Sequence, residues 1–418
     1  MTTSALRAQV ARQVAHWRAA TAGLADLEGF ASAPAWASLE RYLGLALRRH
    51  LDDAVGRLAH ESDALAEDLR AARTATDLER LRRRVVAFRR RYLRTETLLD
   101  FYGDAVNTRT NPRLAALLSA CDVIATQSMA AALRPLDLDV PPALTYYDKG
   151  IGAAITRYGL RLWDEGSLSP VATIKMTRHN MRRGTALTHE TGHQVDALTR
   201  WTPELAAAFA RELGPGSPVA AAWAGWTSEV SADAFAFAHT GFAAVAALYD
   251  VLAGEENSVF AFPIGDPHPV PYLRVLLGAR MCGRAYGPGP WDDLALAWVR
   301  THPLDRAPAA VRELVEASLE RLDTIVDLCL YTPMRAFAGR PLATLVDPLA
   351  VGPERLDRLE RDVARGMDLS THWLWQECTR LMALTGSRLA TAPERAPELA
   401  ARQEAWMVRL GSTAAAAA

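Results

Sequence analysis

The chain contains His189-Glu190-Thr191-Gly192-His193, two imidazoles four residues apart with a carboxylate next to the first. On a helix, positions i and i+4 are separated by only about 40° around the axis. Both histidines can therefore reach one metal ion, while Glu190 sits beside the metal as a general base and not on it. The flanks permit a helix: residues 182–200 contain no proline, and Ala186, Leu187, Val195, Ala197 and Leu198 supply apolar positions. A catalytic zinc takes three protein ligands and keeps a fourth position open. Downstream, Glu229 is the natural third ligand. Asp233 follows one helical turn later, placed to accept the outer N–H of a ligand histidine and fix its tautomer.

The Glu229-x-x-x-Asp233 spacing resembles the third-ligand helix of the gluzincin metallopeptidases. The longer string Glu229-Val-Ser-Ala-Asp-Ala-Phe-Ala236 is similar to that of the CaaX prenyl-protein endopeptidase family and its soluble relatives. So is His268-Pro269, followed by Arg274 and an apolar run. The resemblance lies between residues 189 and 274 and is carried by these motifs alone. It implies a zincin-like core holding one Zn²⁺ per chain on His189, His193 and Glu229, with Glu190 and His268 as catalytic residues. For His268 three readings stay open: hydrogen bonding to the oxyanion, capping the open zinc position, or an ordinary loop histidine between two prolines. Arg274 is expected to pair with a buried carboxylate. Tyr146, Tyr147, Tyr272 and Tyr286 are further candidate transition-state donors, whereas His239, His302 and His372 read as structural or exposed.

Other chemistries fit less well. A metzincin would need glycine where Asp196 stands and a third ligand where Thr199 stands. Asp196 shares a helix face with both histidines, so it is a rival to Glu229. There is no Cys-x-x-Cys pair, Gly-rich phosphate loop or Gly-x-Ser-x-Gly elbow.

The 418 residues suffice for two or three structural units. With 50% hydrophobic and 23% charged residues, the composition is that of an ordinary globular protein. A net charge of −1 gives no electrostatic case for nucleic acid. The arginine clusters at 82–84 and 89–91 interleave with Leu81, Val85, Val86, Phe88, Tyr92 and Leu93, as on the solvated face of an amphipathic helix. Cys121, Cys282, Cys329 and Cys378 are scattered, which suggests reduced thiols in a cytoplasmic protein. No signal peptide and no transmembrane segment are expected.

Three regions follow: an N-terminal helical region (1–138), a zincin-like catalytic core (139–300) and a C-terminal helical region (301–418). Helices are predicted over 6–27, 36–72, 76–102, 112–134, 218–252, 270–285, 291–300, 307–330 and 353–384, with a frayed tail from 414. Strands are predicted over 143–147 and 171–177, with one or two more between them. The second strand alternates Val171, Thr173, Lys175 and Thr177 with Ala172, Ile174 and Met176, as if one face were buried, and the zincin resemblance implies that it forms the sheet edge along the cleft. The fold expected is mainly α with a small mixed sheet. The function expected is a zinc endopeptidase acting on a peptide or protein. The alternatives are an amide hydrolase dedicated to one small or precursor peptide, or a non-catalytic helical interaction protein with a vestigial site.

Overall fold

The computed structural model describes residues 3–148, 154–156, 171–263 and 265–417, and helices dominate it. The N-terminal part comprises α1 (Thr3–Leu24), α2 (Ala33–Leu43), α3 (Leu47–Ala71) and α4 (Ala75–Thr108). The single helix expected over 36–72 is broken because Gly44, at φ 65°, ends α2 in the left-handed conformation. At the start of α4, Thr74 accepts from the Asp77 N–H at 3.1 Å while Asp77 accepts from the Thr74 N–H at 2.9 Å. Helices α1, α3 and α4 pack on one another around Val10, Leu51, Val55, Phe88 and Tyr102. The arginine clusters of α4 point outward as expected, and Arg82 and Arg91 pair with Glu79 and Glu61. Val86 and Leu93, however, share that outer face.

Helix α5 (Pro112–Leu133) begins with Asn111 accepting from the N–H groups of Arg113 and Leu114, both at 3.1 Å. Among the described residues, the stretch Pro112–Leu136 is long and apolar enough to cross a membrane, but 67% of its apolar window is buried inside the protein. It is the spine of the larger core.

The sheet has strands β1 (Ala143–Tyr147), β2 (Ala154–Thr156) and β3 (Ala172–Met176) in the order β1-β3-β2. β3 pairs in parallel with β1, Thr145 opposite Ile174, and antiparallel with β2, Ile155 opposite Ile174. The expectation that β3 forms the edge is therefore corrected: it is central, and β2 is the outer strand on that side among the described residues. The one-sided burial also fails, since Thr173 and Ile174 are both buried. Thr173 is covered even though its hydroxyl has no partner among the described residues, so alternation misleads here. The further strands expected before β3 are met by β2, while residues 149–153 and 157–170 lie outside the described set.

The remainder is α6 (Thr185–Thr199), α7 (Trp201–Glu212), α8 (Pro218–Gly225), α9 (Thr227–Thr240), α10 (Phe242–Leu252), α11 (Glu256–Val259) and α12 (Pro271–Tyr286). Then follow α13 (Pro290–Thr301), α14 (Ala309–Leu319), α15 (Leu322–Leu330), α16 (Leu342–Leu345), α17 (Pro353–Ala364), α18 (Thr371–Thr391) and α19 (Ala396–Ala417). The helix expected over 218–252 is three, interrupted at Trp226 and at Gly241, whose φ is 57°. That over 353–384 breaks around Gly366, at φ 83°. The tail does not fray at 414: α19 continues to Ala417, and Ala414 is buried. These helices share one apolar core with α5, with Trp201, Trp223, Phe235 and Trp298 among its large side chains. Gly411 lets α19 lie directly on α5, where a Cβ would collide with the Ala116 carbonyl.

A buried polar joint links the N-terminal helices to this core. Asp122 of α5 accepts from Arg109 at 2.6 Å, from the Tyr42 hydroxyl at 2.9 Å and from the Thr145 N–H at 2.6 Å. Arg109 also donates to the Thr145 carbonyl at 2.9 Å.

Candidate metal centre

The two histidines stand on α6, which Gly184 starts and Arg200, at φ 59°, ends. Glu229 and Asp233 stand one turn apart on α9. The two helices approach so closely at Gly192 that a Cβ there would lie 3.0 Å from the Ala232 Cα and 3.1 Å from the Phe235 Cβ. The middle of the motif is thus glycine for a packing reason. On its other side, the Thr191 hydroxyl bonds Ser128 of α5 at 2.7 Å, which fixes the rotation of α6.

These contacts bring together His189, His193 and Glu229, whose donor atoms all lie within 4.8 Å of one another. His189 Nε2 is 3.4 Å from Glu229 Oε2, and His193 Nε2 is 3.3 Å from Glu229 Oε1. Tetrahedral bonds of about 2.0–2.1 Å place ligands about 3.3–3.4 Å apart, so the spacing suits one small cation. The outer nitrogens are held in turn: His189 Nδ1 lies 3.0 Å from Asp233 Oδ1, and His193 Nδ1 lies 3.4 Å from the Ser228 hydroxyl.

Arg274 of α12 reaches the same carboxylates. It donates to Asp233 through Nε at 2.5 Å and through a terminal nitrogen at 2.9 Å, and to Glu229 at 3.2 Å. Burial alone would raise the Asp233 carboxyl, but Arg274 and His189 hold it below the usual range, and Glu229 is lowered by the two histidines and Arg274. Burial likewise disfavours an imidazolium at His189, yet hydrogen bonds to Asp233 and Glu229 carry its pKa up to about 9. Two imidazole nitrogens and one carboxylate thus face one another, a donor set that fits a divalent cation.

Glu190 is buried next to this set, and burial pushes its carboxyl above the usual range against the pull of both histidines. Asp196 is elsewhere: it accepts from the Thr202 N–H in the first turn of α7 at 2.5 Å, and it is not one of the mutually close donors. His268 approaches from the loop before α12, its Nε2 3.4 Å from Glu229 Oε2, but it falls outside the mutually close donor set. Its Nδ1 is gripped by Asp266 at 2.6 Å, and Asp266 also accepts the His268 N–H at 3.0 Å.

The site opens into a cleft of about 1900 Å³ walled by the start of α5, by α10 and by α19. Tyr147 lines it, whereas the other candidate tyrosines do not: Tyr146 packs on Phe101, Tyr272 on Phe260, and the Tyr286 hydroxyl donates to the Pro348 carbonyl at 2.9 Å. His239 and His302 are buried away from the donors, and His372 is exposed. Sequence reading missed Ser228 and Asp266. The second was legible in principle, because an aspartate two residues before His268 in Asp-Pro-His-Pro is placed to bond that residue's N–H. Ser228 gave no signal, since its role depends on how α9 is rotated against α6. Comparison with known proteins finds no matching family model, no matching curated protein and no matching solved structure.

Proposed function

We propose that the chain is a zinc-dependent endopeptidase of the gluzincin type. The observation that carries this reading is the convergence of His189, His193 and Glu229 with Glu190 beside them, not bonded into a structural network, at the base of a large cleft. Two imidazoles and one carboxylate are the nitrogen and oxygen donor set of a catalytic zinc with an open position. When bound, zinc would supply a Lewis acid and lower the pKa of water at that position.

The chain's own residues do the rest. Glu190 takes the proton of the attacking water and passes it to the leaving amine, and its raised pKa suits a group that must both accept and release. Asp233 and Ser228 fix the imidazole orientations, while Arg274 compensates the buried negative charge of Glu229 and Asp233. His268, held by Asp266, donates to the oxyanion from the rim. A cleft of about 1900 Å³ exceeds the roughly 300–1,000 Å³ typical of small-molecule sites, which favours a peptide over a small amide.

The test is metal analysis combined with unbiased peptide-library cleavage, run on the natural protein and on Glu190→Gln. The expected result is about one zinc in both and internal peptide cleavage only in the first, with the variant slower by roughly a hundredfold to ten-thousandfold. Equal cleavage by a zinc-loaded Glu190→Gln protein would overturn the mechanism.

A further inference from the structure

The charged side chains lining the cleft are almost all neutralised by a neighbour. Arg113 pairs with Glu404, Arg183 with Asp250, and Arg274 with Glu229 and Asp233. Arg178 is different. It lines the cleft, is exposed, and has no acidic partner among the described residues. It stands two residues beyond the end of β3, where the chain turns toward α6 and the donor set. Its guanidinium lies 6.0 Å from the centroid of the Tyr147 ring, at the end of the parallel neighbour β1. An aromatic ring in that position attracts the cation's flat face and narrows its choice of rotamers. The edge of the guanidinium, with its paired N–H donors, then remains free for a planar anion.

We propose that Arg178, seated against Tyr147, is the anchor for a carboxylate on the substrate, so that the peptides taken by this cleft carry an acidic side chain or a free C-terminus on the sheet side of the scissile bond. The inference rests on the peptidase reading above. An arginine fork matches a carboxylate by two parallel hydrogen bonds, and a cleft-lining cation with no acidic partner among the described residues attracts anions. The two carboxylate sources share this chemistry and differ only in position.

The experiment uses fluorescent peptides in matched pairs, Glu against Gln at each position and free acid against C-terminal amide. Binding is measured on the Glu190→Gln protein with and without Arg178→Met, which keeps the apolar stem but removes the fork. Cleavage of the same pairs is measured on the natural protein and on Arg178→Met alone. The expected result is a preference of roughly tenfold for one carboxylate pair, abolished by Arg178→Met. It appears in KM more than in kcat, and zinc content is unchanged. The Glu/Gln and acid/amide arms identify which carboxylate is read. No carboxylate preference in binding to the Glu190→Gln protein or in cleavage by the natural protein, or a preference that survives Arg178→Met, would overturn the anchor. A preference in binding with no cleavage of any peptide would leave the anchor standing and overturn the peptidase reading instead.

Discussion

At the scale of single residues, the site is a division of labour between groups that touch the metal position and groups that hold those groups. Glu229 and Asp196 make the contrast testable. Glu229 converges with both imidazoles, whereas Asp196 is spent on the first turn of α7. Glu229→Ala should therefore lose most bound zinc, measured by metal analysis after dialysis. Asp196→Ala should keep its zinc and lose about 1 kcal/mol of stability, the worth of a helix cap. The opposite pattern would make Asp196 the ligand. Substitution of His268 separates the three readings left open by the sequence, unchanged activity and zinc content marking an ordinary loop residue. Because it stands outside the close donor set, His268→Ala should lower kcat/KM by about 3 kcal/mol with zinc content unchanged. A rise in activity would identify it as a cap on the open position.

At the scale of elements, the histidine pair meets Glu229 because two helices touch. Gly192 is the contact point, and a methyl group there meets backbone at Ala232 as well as the Phe235 side chain. Gly192→Ala should cost about 1–3 kcal/mol by overpacking and should also weaken zinc binding, since α6 and α9 must separate. A denaturant midpoint and a zinc titration check both, and an unchanged midpoint would show that the helices adjust freely. The same element pair explains what the sequence made legible. The histidine spacing and Glu229-x-x-x-Asp233 are local, helix-encoded patterns, and they come together as read. What was illegible depends on partners distant in the chain. The central place of β3 is set by β2 and β1, and the orienting roles of Ser228 and Asp266 are set by helix rotation and loop path. Helix interruptions at Gly44, Gly241 and Gly366 were visible as glycines, but only the fold assigns them positive φ.

At the scale of the whole molecule, the N-terminal helices and the site-bearing core meet across Asp122. Asp122→Ala would leave the Arg109 guanidinium buried without its counter-charge and strand the Tyr42 hydroxyl and the Thr145 N–H. The expected loss is about 3–5 kcal/mol by urea unfolding, with much of it recovered when Arg109→Met is added. A loss below about 1 kcal/mol would mean that the two parts are held by apolar packing alone. The two apolar clusters interleave along the chain: α5 packs into the larger one, while β1 contributes Leu144 and Tyr146 to the smaller one.

The seating of α19 on α5 has a temporal meaning. Pro397, Gln403 and Met407 supply one wall of the groove, whereas every donor atom has already been synthesised by residue 274. A ribosome therefore makes the residues of the donor set before it makes this wall of the cleft. During that interval the cleft lies open along the side that α19 closes, so its final shape is a late product of synthesis.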